Sequence, residues 1–200
     1  MPRKAAYDRH ASLERAMILF WTRGYAGTSL KDIEAALDMR PGSIYAAFGS
    51  KEKLFRSALT LYAERSRTAL SETLSEAASP LEGLADHVRK LGRALAAPTQ
   101  TKACMLMKTM LESSDNERVL RDAAEDMMRQ TEAAFRDAFQ AARDAGQIPA
   151  DRDPVRLASR LQSEVLGLRA YAQRSDAPGR IEDLSEDIAR DLEALATCFR

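Results

Sequence analysis

Apolar residues recur at intervals of three and four along almost the whole chain, and no segment alternates with the period of two that a half-buried strand requires. The first such stretch, over residues 7–23, places Leu13, Ala16, Met17 and Phe20 on one face. Gly24 follows with the residue that left-handed helix caps favour. Two short amphipathic pieces come next. Ser29 and Asp32 form a capping box ahead of Leu30, Ile33 and Leu37, and Asp38-Met39 makes a turn. Pro41 presets the first turn of the third piece, which makes Arg40 its N-cap and ends it near Phe48. Ser50 then caps a long helix over residues 51–77.

The remainder reads as further helices. Ser79-Pro80 breaks the chain before a helix over residues 81–97. Helices over 102–113 and 117–145 follow, the second opened by a Ser114/Glu117 capping box and closed by Gly146. Pro154 opens an eighth helix with Leu157, Leu161, Val165 and Leu168 on one stripe. Asp176-Ala177-Pro178-Gly179 reads as the last turn, ahead of a ninth helix carrying Ile181, Leu184, Ile188, Leu192, Leu195 and Phe199. The pattern predicts an all-α fold of about nine helices: a three-helix head over residues 1–50 and a helical body over 51–200.

Composition narrows this. Of 200 residues, 45% are hydrophobic and 30% charged, enough for a packed core in a water-soluble chain. Two cysteines, Cys104 and Cys198, do not make a disulfide framework. The basic first residues lead into no continuous apolar segment, and no run reaches membrane-spanning length, so a cytoplasmic protein with reduced thiols is expected. The zero net charge hides a split. Residues 1–60 hold ten Lys/Arg and six Asp/Glu, a net of +4, and the rest carries −4. A basic front points to a polyanionic partner for the front alone.

The short second and third helices fit a helix-turn-helix reading duplex DNA. Arg40 can reach guanine edges or phosphate, and Ser43 is small enough to let the helix sit deep. Pro41 and Gly42 add little bulk, and Pro41 can touch a thymine methyl. Tyr45 can place its hydroxyl on a phosphate. Lys51 adds charge at a helix N-terminus, and Thr28 or Ser29 offers a hydroxyl at the start of the second helix. By pattern alone an ordinary helical hairpin with a solvated basic edge fits as well.

The segment Gly24-Tyr25, Thr28-Ser29, Ile33, Gly42-Ser43-Ile44-Tyr45, Phe48, Ser50-Lys51 and Leu54 resembles the N-terminal domain of TetR/AcrR-type transcriptional regulators. The run G-S-I-Y-x-x-F-x-S-K is its specific part. The resemblance implies a three-helix DNA-binding head with the third helix in the major groove and Tyr45 and Lys51 on phosphates. It implies a one-component regulator, most simply a repressor acting as a homodimer on a palindromic operator and released by a small-molecule inducer. Four positions depart from the family pattern: Glu34, Asp38 in place of the usual turn glycine, Arg40 in place of a capping serine, and Ala46-Ala47 in place of bulkier residues. The operator therefore cannot be borrowed from relatives.

In such proteins the last two helices build the dimer interface. The stripes Leu157, Leu161, Val165, Leu168 and Leu184, Ile188, Leu192, Leu195 suit that role, and they suit the protomer's own core equally. Met107, Met127, Phe135 and Tyr171 are candidates for an adaptable apolar pocket. Cys104, near Lys102 and Lys108 at the start of a helix, is a candidate reactive thiol, and its surroundings resemble a TetR subgroup with members that sense electrophiles or oxidants. A buried structural thiol is the other reading.

The two histidines, His10 and His87, lie far apart, and no phosphate-binding loop, dinucleotide motif or Cys-x-x-Cys is present, so no enzyme, cofactor or metal is expected. The competing classes are a helical adaptor or scaffold, and an activator without small-molecule sensing.

Overall fold

The computed structural model describes residues 8–98 and 101–196. Its helices are α1 (Arg9–Arg23), α2 (Leu30–Leu37), α3 (Pro41–Phe48), α4 (Lys51–Glu76), α5 (Pro80–Ala96), α6 (Met105–Glu112), α7 (Arg118–Asp144), α8 (Pro154–Tyr171) and α9 (Pro178–Glu193), and no strand occurs among the described residues. A single 3₁₀ turn, Asp115–Glu117, leads into α7. The start expected at Tyr7, Cys198 and the stripe residue Phe199 lie outside the described residues.

The caps follow the local chemistry. The Asp8 carboxylate accepts from the His10 and Ala11 amides, and the Ser29 and Ser50 hydroxyls accept from Asp32 and Lys53. Asp38 adopts the left-handed conformation (φ 53°, ψ 48°) that lets α2 stop and α3 start without glycine. Three boundaries differ from expectation. The 102–113 helix begins only at Met105, with Cys104 as its N-cap. The Ser114/Glu117 box opens the 3₁₀ turn rather than α7 itself. Pro178 and Gly179 belong to α9, because a proline can occupy a first helical turn without losing a hydrogen bond.

α1 lies along the first half of α4, where Phe20 and Phe55 meet edge-on with ring centroids 4.9 Å apart. Ile33, Leu37, Ile44 and Phe48 join them, and so do Cys104, Met105 and Leu106 from the body. The core thus crosses residue 50, and α4 is shared by head and body. A second core packs α5, α7, α8 and α9 around Phe139, Leu84, Val88 and Leu161. α5 approaches α9 so closely that a Cβ on Gly92 would lie 1.9 Å from Ser185 Oγ, so only glycine fits there.

The proposed interface stripes are mostly spent inside the protomer. Leu161, Leu168 and Leu192 are 1%, 4% and 5% exposed and belong to its own cores. Leu157, Val165, Ile188 and Leu195 are half-buried against the same core. Only Leu184, at 36%, is exposed. Periodicity identifies an apolar stripe, but α5 and α7 decide what covers it, and they cover these two.

Candidate nucleic-acid interface and the cavity behind it

In α3 the hydrophobic pattern sorts the side chains. Ile44 and Phe48 turn inward, at 3% and 6% exposure. Arg40, Pro41, Gly42, Ser43, Tyr45 and Ala46 are all exposed. Tyr45 keeps 47% of its surface in solvent although its ring is large and apolar. A Cβ on Gly42 would meet nothing within 4 Å, so internal packing does not call for the glycine. The missing side chain leaves room for something outside the protein. Lys51, the first residue of α4, holds its Nζ 4.2 Å from the Tyr25 ring centroid. Burial lowers its pKa, and Glu117 opposes that shift.

The start of α2 is different from expectation. Thr28 is 1% exposed, and its hydroxyl donates to the Gly24 carbonyl at 2.7 Å. It locks the turn after α1 and is not presented to a phosphate. Ser29 is exposed, but both its amide and its hydroxyl donate to Asp32 Oδ2 at 2.8 and 2.6 Å. Those bonds, with Arg23 beside it, hold the Asp32 carboxyl below its ordinary pKa. A carboxylate already occupies this helix N-terminus.

Behind the head lies a cavity of about 450 Å³, walled by α1, α4, α5, α6, α7 and α8. Its lining includes Met17, Trp21, Tyr62, Leu70, Leu106, Met128 and Phe135. Of the pocket residues expected from sequence, Cys104 and Phe135 are in this wall. Met107, Met127 and Tyr171 are not. Met107 and Met127 pack against the head-side core, and Tyr171 stacks under Arg174, whose guanidinium lies 5.0 Å from the ring. One-residue steps on a helix rotate a side chain by about 100°, which is why Met128 lines the cavity and Met127 does not. Trp21, Tyr62, His87, Gln162 and Arg169 also line it, and the sequence offered no signal for them, since they come from four helices far apart in the chain, α1, α4, α5 and α8.

Cys104 is 9% exposed and lies in the wall beside Tyr62, whose phenol burial pushes far up. His87 sits in the cavity wall with its ring centroid 6.1 Å from that of Phe135. Burial, followed by the charges of Arg169 and Lys90, lowers its pKa to about 4, so it is neutral at pH 7. Among the described residues no cluster of three or more His, Cys, Asp or Glu could hold a metal, and no helix is long and apolar enough to cross a membrane.

The cavity touches the head through α6. The Trp21 indole donates to the Ala103 carbonyl at 2.6 Å. Lys108 Nζ donates to the carbonyls of Trp21 and Thr22 at 3.2 and 2.8 Å, satisfying the last turn of α1. Gly24, at φ 75°, has the Glu112 carboxylate where a Cβ would be, 2.5 Å away.

A small helical head whose third helix presents an exposed face of small residues and Tyr45, fused through α4 to a hollow helical body, is the build of a helix-turn-helix transcriptional regulator. Residues 13–58 match the family model described as bacterial regulatory proteins of the tetR family, and residues 80–186 match the tetracyclin repressor-like C-terminal domain. The chain belongs to the TetR family of DNA-binding transcriptional regulators, which are not enzymes. It is 31% identical to the uncharacterized HTH-type transcriptional regulator YezE of Bacillus subtilis (strain 168), over 92% of this chain and 95% of that one. It is 26% identical to the HTH-type transcriptional repressor ComR of Escherichia coli (strain K12), over 86% of this chain and 82% of that one. A solved structure of a cysteine mutant of the TetR family regulator CifR, complexed with 26-bp double-strand operator DNA, superposes with a TM-score of 0.84 at 31% identity, covering 94% of this chain and 98% of that one. Family membership sets aside the adaptor reading.

Proposed function

We propose that the protein is a homodimeric repressor whose α3 reads an operator and whose cavity takes a small-molecule inducer. The observation that carries this reading is the wall shared between cavity and head: Trp21 lines the cavity and is hydrogen-bonded to Ala103, the residue before the α6 cap. A ligand that displaces α6 or the Trp21 ring pulls on the last turn of α1, and α4 carries any tilt to the head. In a dimer this changes the spacing of the two recognition helices, only one value of which fits successive major grooves. Arg40, Pro41, Gly42 and Ser43 are the base-facing set, with Tyr45 and Lys51 toward the backbone. The dimer partner is taken on the outward faces of α8 and α9, with Leu184 among the contacts. The relatives that bear repressor names and the operator complex of CifR support the DNA-bound resting state.

The test is a gel shift on the DNA upstream of the protein's own gene, at several salt concentrations. Specific binding with a steep salt dependence is expected. Binding that survives Tyr45→Ala combined with Lys51→Ala unchanged would remove the site assignment.

A second reading concerns the inducer's chemistry. Cys104 faces the cavity wall beside the Tyr62 hydroxyl, so an electrophile or oxidant entering the cavity meets a thiol. Mass-spectrometric modification of Cys104 should accompany loss of operator affinity, and Cys104→Ser should abolish that loss. Modification without any change in affinity makes Cys104 a packing residue only.

A further inference from the structure

The charges around the cavity are not evenly neutralised. Arg65 is paired with Glu14. Lys90 Nζ is held by Glu76 and Thr73 at 2.9 and 3.3 Å. Glu72 stands at the exposed rim. Arg169, from the last two turns of α8, is different. It lines the cavity half-buried, donates only to the Lys102 carbonyl at 3.4 Å, and among the described residues has no carboxylate within ion-pair distance. Its charge is felt by two neighbours in the same wall, Tyr62 and His87. A half-buried guanidinium without an anion is a costly arrangement that a bound anion relieves.

Gln162, about two turns earlier on α8, adds a second unmet need. It is 8% exposed, donates Nε2 to the Met128 carbonyl at 3.4 Å, and leaves Oε1 buried without a partner. A ligand N–H or O–H is the complement it lacks. Between these groups the lining is apolar and aromatic: Trp21, Leu70, Leu106, Met128 and Phe135. His87, neutral at pH 7, adds no competing charge.

We infer that the cavity is specific for an amphipathic organic anion: a carboxylate or similar acid group set on Arg169, an apolar or aromatic body along α1, α6 and α7, and a hydrogen-bond donor toward Gln162. This rests on the ligand-binding role proposed above and names the class of ligand that fills it. The aliphatic or aromatic acid binds as the anion, because a fixed guanidinium in a partly dry site discriminates a charged group from its neutral isostere by charge-assisted, bidentate bonding.

The test uses the full-length protein and two soluble probes of equal size, 4-phenylbutyrate and 4-phenylbutanamide. Trp21 is the only tryptophan in the chain and lines the cavity, so its fluorescence reads occupancy directly. Wild-type protein should bind the anion about tenfold or more tighter than the amide, as a charge-assisted bond against a neutral one predicts. Arg169→Met should bring the two within about twofold of each other, and Arg169→Lys should keep part of the preference. Equal affinity of the two probes for wild-type protein overturns the inference while leaving a ligand cavity in place, and needs no variant to fold. A preference that persists in a folded Arg169→Met variant overturns it too. If neither probe perturbs Trp21 at millimolar concentration, the ligand-binding reading falls together with it.

Discussion

The indole of Trp21 donates to the backbone carbonyl of Ala103, joining the end of α1 in the DNA-binding head to the residue before the α6 cap. The same ring packs edge-on against Tyr62 at 4.9 Å and forms part of the cavity wall. Trp21→Phe keeps most of the ring packing and deletes the bond. Melting should show a loss of about 1 kcal/mol, the usual net worth of such a bond. Operator affinity without ligand should barely move, while the ligand-induced loss of affinity should shrink. An unchanged ligand response in a correctly folded variant would mean that the coupling runs through α4 alone.

Gly42→Ala should move stability and DNA affinity in opposite directions. The position is helical, exposed and open, so alanine should stabilise the head by roughly 0.5–1 kcal/mol. The added methyl enters the space left for the groove, so operator binding should weaken. A variant that gains stability and binds as tightly as wild type would place Gly42 off the interface.

Tyr45 is exposed, and no intramolecular hydrogen bond holds its hydroxyl among the described residues. Tyr45→Phe should leave the melting temperature unchanged and reduce affinity for specific and random duplexes alike, because a phosphate contact carries no sequence information. Arg40→Ala should instead flatten the difference between operator and random DNA. Competition titrations on both duplexes separate the two roles.

His87 gives the protein a pH dependence of known sign. Its ordinary pKa of 6.5 falls to about 4 in the folded chain. The unfolded chain therefore takes up a proton that the native one refuses, and stability declines as pH falls from about 6.5 toward 4. Glu186, lowered to about 2 chiefly by its bonds to Arg89, acts below its ordinary 4.5, so the window above that value isolates His87. Chemical denaturation of His87→Gln between pH 6.5 and 5 should show a flatter profile than wild type. A slope equal to wild type would assign the acid sensitivity elsewhere.

Gly167 lies on the outward face of α8, where a Cβ would meet nothing within 4 Å. Gly167→Arg should leave the protomer folded and shift light scattering from dimer to monomer, with operator affinity falling together with it. A dimer that persists unaltered would move the interface off this face of α8.

Local chemistry in the sequence determined the helices and their ends. Capping boxes, Pro41 and Pro154 at first turns, and Asp38 in a left-handed turn are all short-range effects, legible because the groups that satisfy one another lie within four residues. The head was legible for the same reason: inward Ile44 and Phe48 and outward Arg40 to Ser43 follow from one helical period. Tertiary structure decided what no period contains. It buried Thr28 under Gly24, turned Leu161, Leu168 and Leu192 into the protomer's own core, and chose Met128 over Met127 for the cavity. It also brought Trp21, Tyr62, His87, Gln162 and Arg169 from four separate helices, α1, α4, α5 and α8, into one wall. An amphipathic stripe records only that a face is covered. The packing of distant helices determines what covers it and which polar groups are left facing a void.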